Sequence, residues 1–210
     1  MMVAQREDER KYLDNLNEVK FKQFLKSISR RAIGNSTLRN LGEEGISERA
    51  RNWLEKCMTY DCLVILRGDD YRDWLDKKTL CLNEYLHDFF KVENGWGAAR
   101  KVLNIFVRDC YYNNIINKNW GLRGFEKYFE VPLDNMTMYG IRHAIKFIDE
   151  KESCNIRMFK ESDCVSRLSE DLSDTYQKAA QKLIEYRNKK CKDGDILLRV
   201  DLDMYYYRFI

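Results

Sequence analysis

The scarcity of helix-breaking residues constrains the fold of this chain more than any other feature of its sequence. One proline, Pro132, and ten glycines are spread over 210 residues. Proline removes a backbone hydrogen-bond donor and glycine is entropically costly inside a helix, so long stretches without either residue permit long helices. Hydrophobic residues make up 44% of the chain and aromatic residues 13%, which is enough to form a buried core. These features predict an all-α fold.

Apolar residues recur at helical spacing along most of the chain. The pattern predicts helices within the first thirty residues and over 46–58, 82–90, 97–112, 135–148 and 168–184. Residues 117–130 are predicted to form an irregular connection with a short helix, and residues 151–166 a connection between lobes. We therefore expect a single helical domain, residues 1–210, with two lobes.

The last part of the chain follows a different pattern. Apolar side chains alternate with polar ones from Ile196 to Tyr206, which is typical of a β-strand. Because no second strand is predicted to pair with it, we interpret this segment as an irregular tail packed on the helices.

Composition and charge exclude several classes of protein. Seven cysteines occur singly, without a Cys-x-x-Cys pair, and there are two histidines. This spacing disfavours a disulfide framework, a structural zinc site and an iron–sulfur cluster, and it favours reduced, buried thiols in a cytoplasmic protein. No apolar run is long enough to span a bilayer and no signal peptide is evident, so no membrane association is expected. A net charge of +3 permits nucleic-acid binding without requiring it.

Two short motifs contain residues that are able to take part in catalysis or in anion binding. The first reads Gly97-Ala98-Ala99-Arg100-Lys101, followed by Val102-Leu103-Asn104-Ile105, and the second reads Pro132-Leu133-Asp134. A glycine-bearing turn permits close backbone approach, and the amides at a helix N-terminus favour anions such as phosphate. A neutral lysine is an amine nucleophile, and a nearby carboxylate stabilises positive charge or accepts a proton. Asp134 is also expected to cap the helix that follows it.

The two motifs, in this order, resemble those of the helix-hairpin-helix DNA glycosylases. In that family a hairpin reading Gly-Val-Gly-Arg-Lys is followed by a loop reading Pro-Val-Asp, which holds the catalytic aspartate. The resemblance covers about a quarter of the chain. It implies a helix-hairpin-helix motif at about 80–116 and a catalytic-aspartate loop and helix at 131–149. It also implies excision of a damaged or modified base from DNA, with a possible lyase step at the abasic site.

The resemblance further implies roles for individual residues. Lys101 is expected to be the nucleophile and Asp134 its electrostatic or acid–base partner. Independently of the resemblance, the polar loop that holds Asn35, Ser36 and Arg39 has side chains able to reach a base edge or a phosphate, which indicates a possible base pocket. Helix capping and turn formation are the other, favoured role of this loop. The chemistry requires no cofactor or metal, and the expected partner of the monomeric protein is double-stranded DNA with a flipped-out base. The residues expected to hold the DNA backbone are Asn94, Gly95, Trp96, Gly97, Ala98, Ala99 and Arg100.

The sequence leaves two other functions open and departs from the family in places. Ala99 stands where the second hairpin glycine is usual, and 33 positions separate Lys101 from Asp134, more than in commoner members. One alternative is a non-catalytic helix-hairpin-helix DNA-binding protein. The other is an all-α interaction protein, in which Lys101 and Asp134 would lie on different faces. The target base, and a role in repair or in defence against modified foreign DNA, also stay open.

Overall fold

The computed structural model confirms the all-α fold. It describes residues 2–34, 38, 45–58, 69–90, 95–152, 159–160, 163–190 and 196–204, and these ranges contain helices and turns but no strand. Three residues of the predicted base pocket, Asn35, Ser36 and Arg39, lie outside the described residues, as does Asn94 of the predicted hairpin. Their predicted roles therefore stay predictions.

Seven α-helices span most of the described residues. In chain order they are α1 (Met2–Ala32), α2 (Ile46–Cys57), α3 (Asp69–Phe90), α4 (Trp96–Tyr112), α5 (Asn114–Trp120), α6 (Asn135–Glu152) and α7 (Glu170–Lys190). Three short 3-10 turns lie at Glu126–Tyr128, Val165–Arg167 and Arg199–Asp201. The predicted helices are confirmed, although α3 begins earlier than its apolar stripe indicated.

The connection between α4 and α6 shows how local signals set the boundaries of a helix. The side-chain oxygen of Asn113 accepts hydrogen bonds from the N–H groups of Ile115 and Ile116, each at 3.1 Å, and so starts α5. The helix ends at Gly121, whose φ of 62° is left-handed and suits glycine. The prediction of an irregular connection with a short helix is confirmed for residues 117–130, and this helix begins three residues earlier, at Asn114.

Buried side chains form two hydrophobic clusters. The first is built mainly from α1 to α5, with α4 packed against both α1 and α3. The second is built from residues 131–133, α6 and α7, which pack against each other. Helix α4 therefore lies within the first cluster and the loop before α6 within the second. The division of the chain into two lobes stays a prediction.

The C-terminal segment touches both clusters. Residues 196–198 are irregular, and the 3-10 turn Arg199–Asp201 leads into a helical turn at 202–204. Val200 is fully buried in the first cluster and Leu202 is buried in the second. As expected, the described part of this segment, residues 196–204, is an irregular tail packed on helices. Val200 and Leu202 are buried between more exposed neighbours, which accounts for the middle of the alternating pattern, whereas Ile196 and Met204 are exposed.

Cysteine burial varies along the described chain. Cys110 is fully buried, and burial raises the pKa of its thiol well above the usual value. Cys57 and Cys164 are half-buried and Cys81 is exposed, so the thiols are not uniformly buried as expected. None of the helices in the described ranges is long and apolar enough to cross a bilayer.

Candidate active site

The two residues that the sequence singled out for chemistry lie side by side. Lys101 projects from the first half of α4, and its Nζ is 3.7 Å from Oδ2 of Asp134, the residue immediately before α6. The two side chains retain 13% and 19% of their accessible surface, so both are partly buried but still reachable. The pair joins residues 33 positions apart, on elements that belong to different hydrophobic clusters.

Asp134 is held in place by capping α6. Its Oδ1 accepts a hydrogen bond of 2.8 Å from the N–H of Thr137, and its backbone oxygen accepts one of the same length from Met138. This is the geometry of an N-cap, and it confirms the capping prediction. One carboxylate oxygen, Oδ1, is used by the helix, while the other, Oδ2, faces Lys101. The cap therefore fixes the direction in which the free oxygen points.

A buried ion pair fixes the loop that carries Asp134 against α4. Arg100 donates from Nε and Nη2 to the two oxygens of Glu130, at 2.9 and 2.8 Å. Asn104 donates to the same carboxylate at 3.0 Å. Planar two-point pairing of this kind fixes orientation as well as distance. Arg100 is the residue next to Lys101, and Glu130 lies four residues before Asp134. The buried Arg100–Glu130 pair therefore helps to set the distance between Lys101 and Asp134.

Other side chains hold the same loop from the opposite side. Gln177 of α7 accepts a hydrogen bond from the N–H of Val131 at 3.0 Å and donates one to its carbonyl at 2.8 Å. Arg199 donates to the carbonyl oxygens of Phe129 and Tyr128 at 3.0 and 2.9 Å. Residues 128–134 are thus tied to α4, to α7 and to the C-terminal segment. A loop held on three sides keeps its last residue, Asp134, in a fixed position.

The expectation that Arg100 contacts DNA phosphate is corrected by its burial. Only 2% of its side chain is accessible, and Nη1 also bonds to Asp76 and Thr79, at 2.6 and 3.1 Å. Burial opposes the charge, but Glu130 and Asp76 more than offset this effect and raise the pKa of the guanidinium. The donors of Arg100 are therefore directed at carboxylates of the protein itself.

The first turn of α4 is also more buried than a DNA-contacting hairpin was expected to be. Gly97 is required because a Cβ at this position would lie 2.2 Å from the carbonyl oxygen of Val165. The close backbone approach predicted for this glycine is therefore made to the protein's own chain. Ala98 and Ala99 are 3% and 0% exposed, so their side chains serve the core and not a DNA surface.

Trp96 is the most accessible residue in the described part of the predicted hairpin. It is half-buried, whereas the preceding residue, Gly95, is buried. The guanidinium carbon of Arg100 lies 5.5 Å from the centre of a Trp96 ring, a cation–π distance. Among the described residues predicted to hold DNA, Trp96 therefore keeps that role as a prediction, whereas Gly95 is buried like the residues that follow Trp96.

A second carboxylate, which the sequence analysis did not single out, lies beside the pair. Asp203 accepts hydrogen bonds from Arg108 of α4 and, at 3.2 Å, from the hydroxyl of Thr137. Burial raises the pKa of Asp203, the charge of Asp134 raises it further, and the charges of Arg108 and Lys101 oppose the rise. Asp203 is thus electrostatically coupled to both residues of the predicted site.

Sequence signals for the missed residues exist but are weak. Glu130 is the one charged residue in the otherwise apolar run 129–133, and such a residue needs a buried partner. Asp203 lies between two apolar residues, Leu202 and Met204, in an alternating pattern. Neither signal identifies the partner.

No known protein family matches this chain, and no curated protein or solved structure shows significant similarity to it. The resemblance to the glycosylases therefore depends on the two sequence motifs alone.

Chemically, the site offers an amine next to a carboxylate at a reachable surface. The amine is able to add to an electrophilic carbon once it has lost its proton, and the Asp134 carboxylate, 3.7 Å away, is close enough to accept that proton.

Proposed function

We propose that the chain is a DNA glycosylase that uses Lys101 as nucleophile and Asp134 as its electrostatic and acid–base partner, acting as a monomer on double-stranded DNA in the cytoplasm. The observation that carries this proposal is the 3.7 Å contact between Lys101 Nζ and Asp134 Oδ2. The alternative of an unrelated interaction protein requires these residues to lie apart. Their contact therefore favours the enzyme.

The proposed reaction begins with a base rotated out of the duplex, because the sugar C1′ is not reachable in stacked DNA. Asp134 accepts a proton from the Lys101 ammonium, and the freed Nζ electron pair attacks C1′. The bond from C1′ to the base breaks, and the base leaves with the electron pair of that bond and takes up the proton held by Asp134. Asp134 then accepts a second proton, from the new secondary ammonium, and the nitrogen forms a double bond to C1′ while the C1′–O4′ bond breaks and O4′ takes up that proton. The product is a Schiff base between Lys101 and the opened sugar.

The fixed position of Asp134 supports its role in this scheme. A catalytic group that is already oriented avoids much of the entropic cost of reaching the reacting geometry. The cap on α6 and the ties on residues 128–134 provide this orientation. A possible lyase step, elimination of the 3′ phosphate, would proceed from the same Schiff base.

The proposal is tested by incubating the protein with duplexes that carry damaged or modified bases, in the presence of borohydride. Borohydride reduces a Schiff base to a stable amine, so a covalent protein–DNA adduct is expected for the correct base. The adduct should be absent with Lys101→Ala. A matched control is Lys78→Ala, because Lys78 is also half-buried but bonds to the carbonyl of Cys57 on α2. Base release without any adduct would show that Asp134 acts without the lysine.

The non-catalytic DNA-binding alternative gives a different result. It predicts measurable duplex binding with no base release and no adduct over the whole panel. Lys101→Ala would then leave binding nearly intact.

A further inference from the structure

We propose that Asp203 is a positioning residue for the Lys101–Asp134 pair, and that the C-terminal segment 196–204 is therefore part of the site. The role in catalysis rests on the function proposed above, but the grouping of the three side chains is testable without it.

Hydrogen bonds from two different elements meet on the Asp203 carboxylate. Thr137 donates to Oδ1, and Arg108 donates to Oδ2. The N–H of Thr137 donates to Asp134, the N-cap of α6. Arg108 follows Lys101 by seven residues on α4, which is about two helical turns. Asp203 therefore connects the helix that carries the amine with the cap that carries the carboxylate.

The charges around Asp203 come from the same two elements. Lys101 and Arg108 face it from α4, and Asp134 and Thr137 face it from the start of α6. Its side chain is 14% exposed, similar to Lys101 and Asp134. Arg108 also donates to Asp109 of α4 at 3.0 and 3.1 Å, so this partly buried cluster contains three carboxylates and two cations. A change in charge at Asp203 is expected to change the electrostatic stabilisation of the Lys101 ammonium, because the cluster is only partly screened by water.

A purely structural explanation is that Asp203 only attaches the tail to the helices. The structure provides a control for this, because a second contact attaches the same segment to α4. The Tyr112 hydroxyl donates to Asp201, and Tyr112 is 43% exposed. Tyr112→Phe removes this contact without altering Asp203, so it loosens the tail and leaves the charge cluster unchanged.

The first test measures the grouping alone. The carboxyl carbon of Asp203 is titrated by nuclear magnetic resonance in the full chain, in Lys101→Met and in Lys78→Met. We expect the pKa of Asp203 to lie above the usual range and to rise further in Lys101→Met, because a stabilising positive charge is lost. Lys78→Met should leave it unchanged. Equal titration in all three proteins would overturn the proposal.

The second test measures the positioning role on a duplex with one abasic site, whose aldehyde forms a Schiff base without a base-excision step. Borohydride trapping rates are recorded against pH and DNA concentration. Asp203→Asn should slow trapping about tenfold or more, because small displacements of reacting groups have effects of this size. The half-saturating DNA concentration should not change, while the pH profile should shift. Asp203→Glu should restore part of the rate, and Tyr112→Phe should stay close to the unaltered protein.

The outcomes separate the two proposals. If Asp203→Asn traps as fast as the unaltered protein, or Tyr112→Phe slows trapping equally, the positioning role is overturned. If the unaltered protein forms no adduct, the glycosylase proposal fails, and the titration alone decides whether Asp203 belongs to the cluster.

Discussion

Two neighbouring cations on α4, Arg100 and Lys101, each pair with a carboxylate from the same loop. The two pairs differ in the distance between their charged atoms and in their exposure to solvent. Arg100 pairs with Glu130 at 2.8 Å, with 2% and 9% of the side chains exposed. Lys101 pairs with Asp134 at 3.7 Å, with 13% and 19% exposed. The first pair is buried, and the Arg100 nitrogens all donate to groups of the protein itself, so its role is to hold the loop. The second is reachable and longer than a hydrogen bond, so it is the one available to react.

The largest effect on stability is expected from breaking the buried pair. Glu130→Gln leaves a buried guanidinium without its main counter-charge, which should lower the free energy of unfolding by about 3 kcal/mol. Urea denaturation measures this change. Glu18→Gln, which breaks the exposed Glu18–Lys22 pair on α1, is the matched control and should leave the free energy of unfolding close to that of the unaltered protein. Similar losses in both variants would contradict the contrast between buried and exposed pairs.

The next largest effect is expected at the start of α4, which places both cations. Gly97→Ala puts a Cβ 2.2 Å from the carbonyl of Val165, and the helix must shift to relieve the contact. Overpacking of this kind should cost about 2 kcal/mol in thermal or urea unfolding. Gly34→Ala is the control, since its nearest contact would be an ordinary 3.7 Å. An unchanged stability in Gly97→Ala would show that this turn tolerates a side chain.

A smaller effect separates the two roles of Asp134. Asp134→Ala removes the cap of α6 and should cost about 1 kcal/mol. Asp134→Asn keeps an oxygen for the N–H of Thr137, so stability should be nearly retained while trapping of an abasic-site duplex falls. Chemical denaturation and adduct formation, measured on the same samples, distinguish the cap from the chemistry. Equal trapping by Asp134→Asn and the unaltered protein would remove the charge of Asp134 from the mechanism.

The smallest effect on stability is expected at Lys101. Lys101→Met keeps the apolar part of the side chain and removes a partly exposed ion pair, so the free energy of unfolding should change by less than about 1 kcal/mol. Urea denaturation again provides the measurement. A loss as large as that of Glu130→Gln would mean that the second pair is structural as well.

Most of the fold follows from local signals that the sequence contains. The apolar stripe of α2, with Ile46, Ala50, Trp53 and Leu54 buried, repeats every three to four residues and needs no tertiary information. The start of α6 is equally local, because Asp134 caps a helix that begins one residue later. The contact between Lys101 and Asp134 was predicted only through the order of two motifs.

The parts of the site that the sequence did not predict depend on long-range packing. Arg100 and Lys101 are adjacent cations, and nothing local indicates that one is buried and the other reachable. The turn at Gly97 suggested a DNA contact, but its close approach is to Val165, 68 positions later. Asp203 lies 66 positions after Thr137, its hydrogen-bond donor. Such pairings are set by how helices pack, which hydrophobic periodicity does not encode.

The most direct test of the central claim, that Lys101 is the reactive amine, is to identify the modified residue. The protein is trapped with borohydride on an abasic-site duplex, digested, and the adduct located by peptide mass spectrometry. We predict that the adduct is confined to Lys101, that Lys101→Ala abolishes it, and that Lys78→Ala does not. An adduct on another lysine or on the N-terminal amine, undiminished in Lys101→Ala, would contradict the assignment.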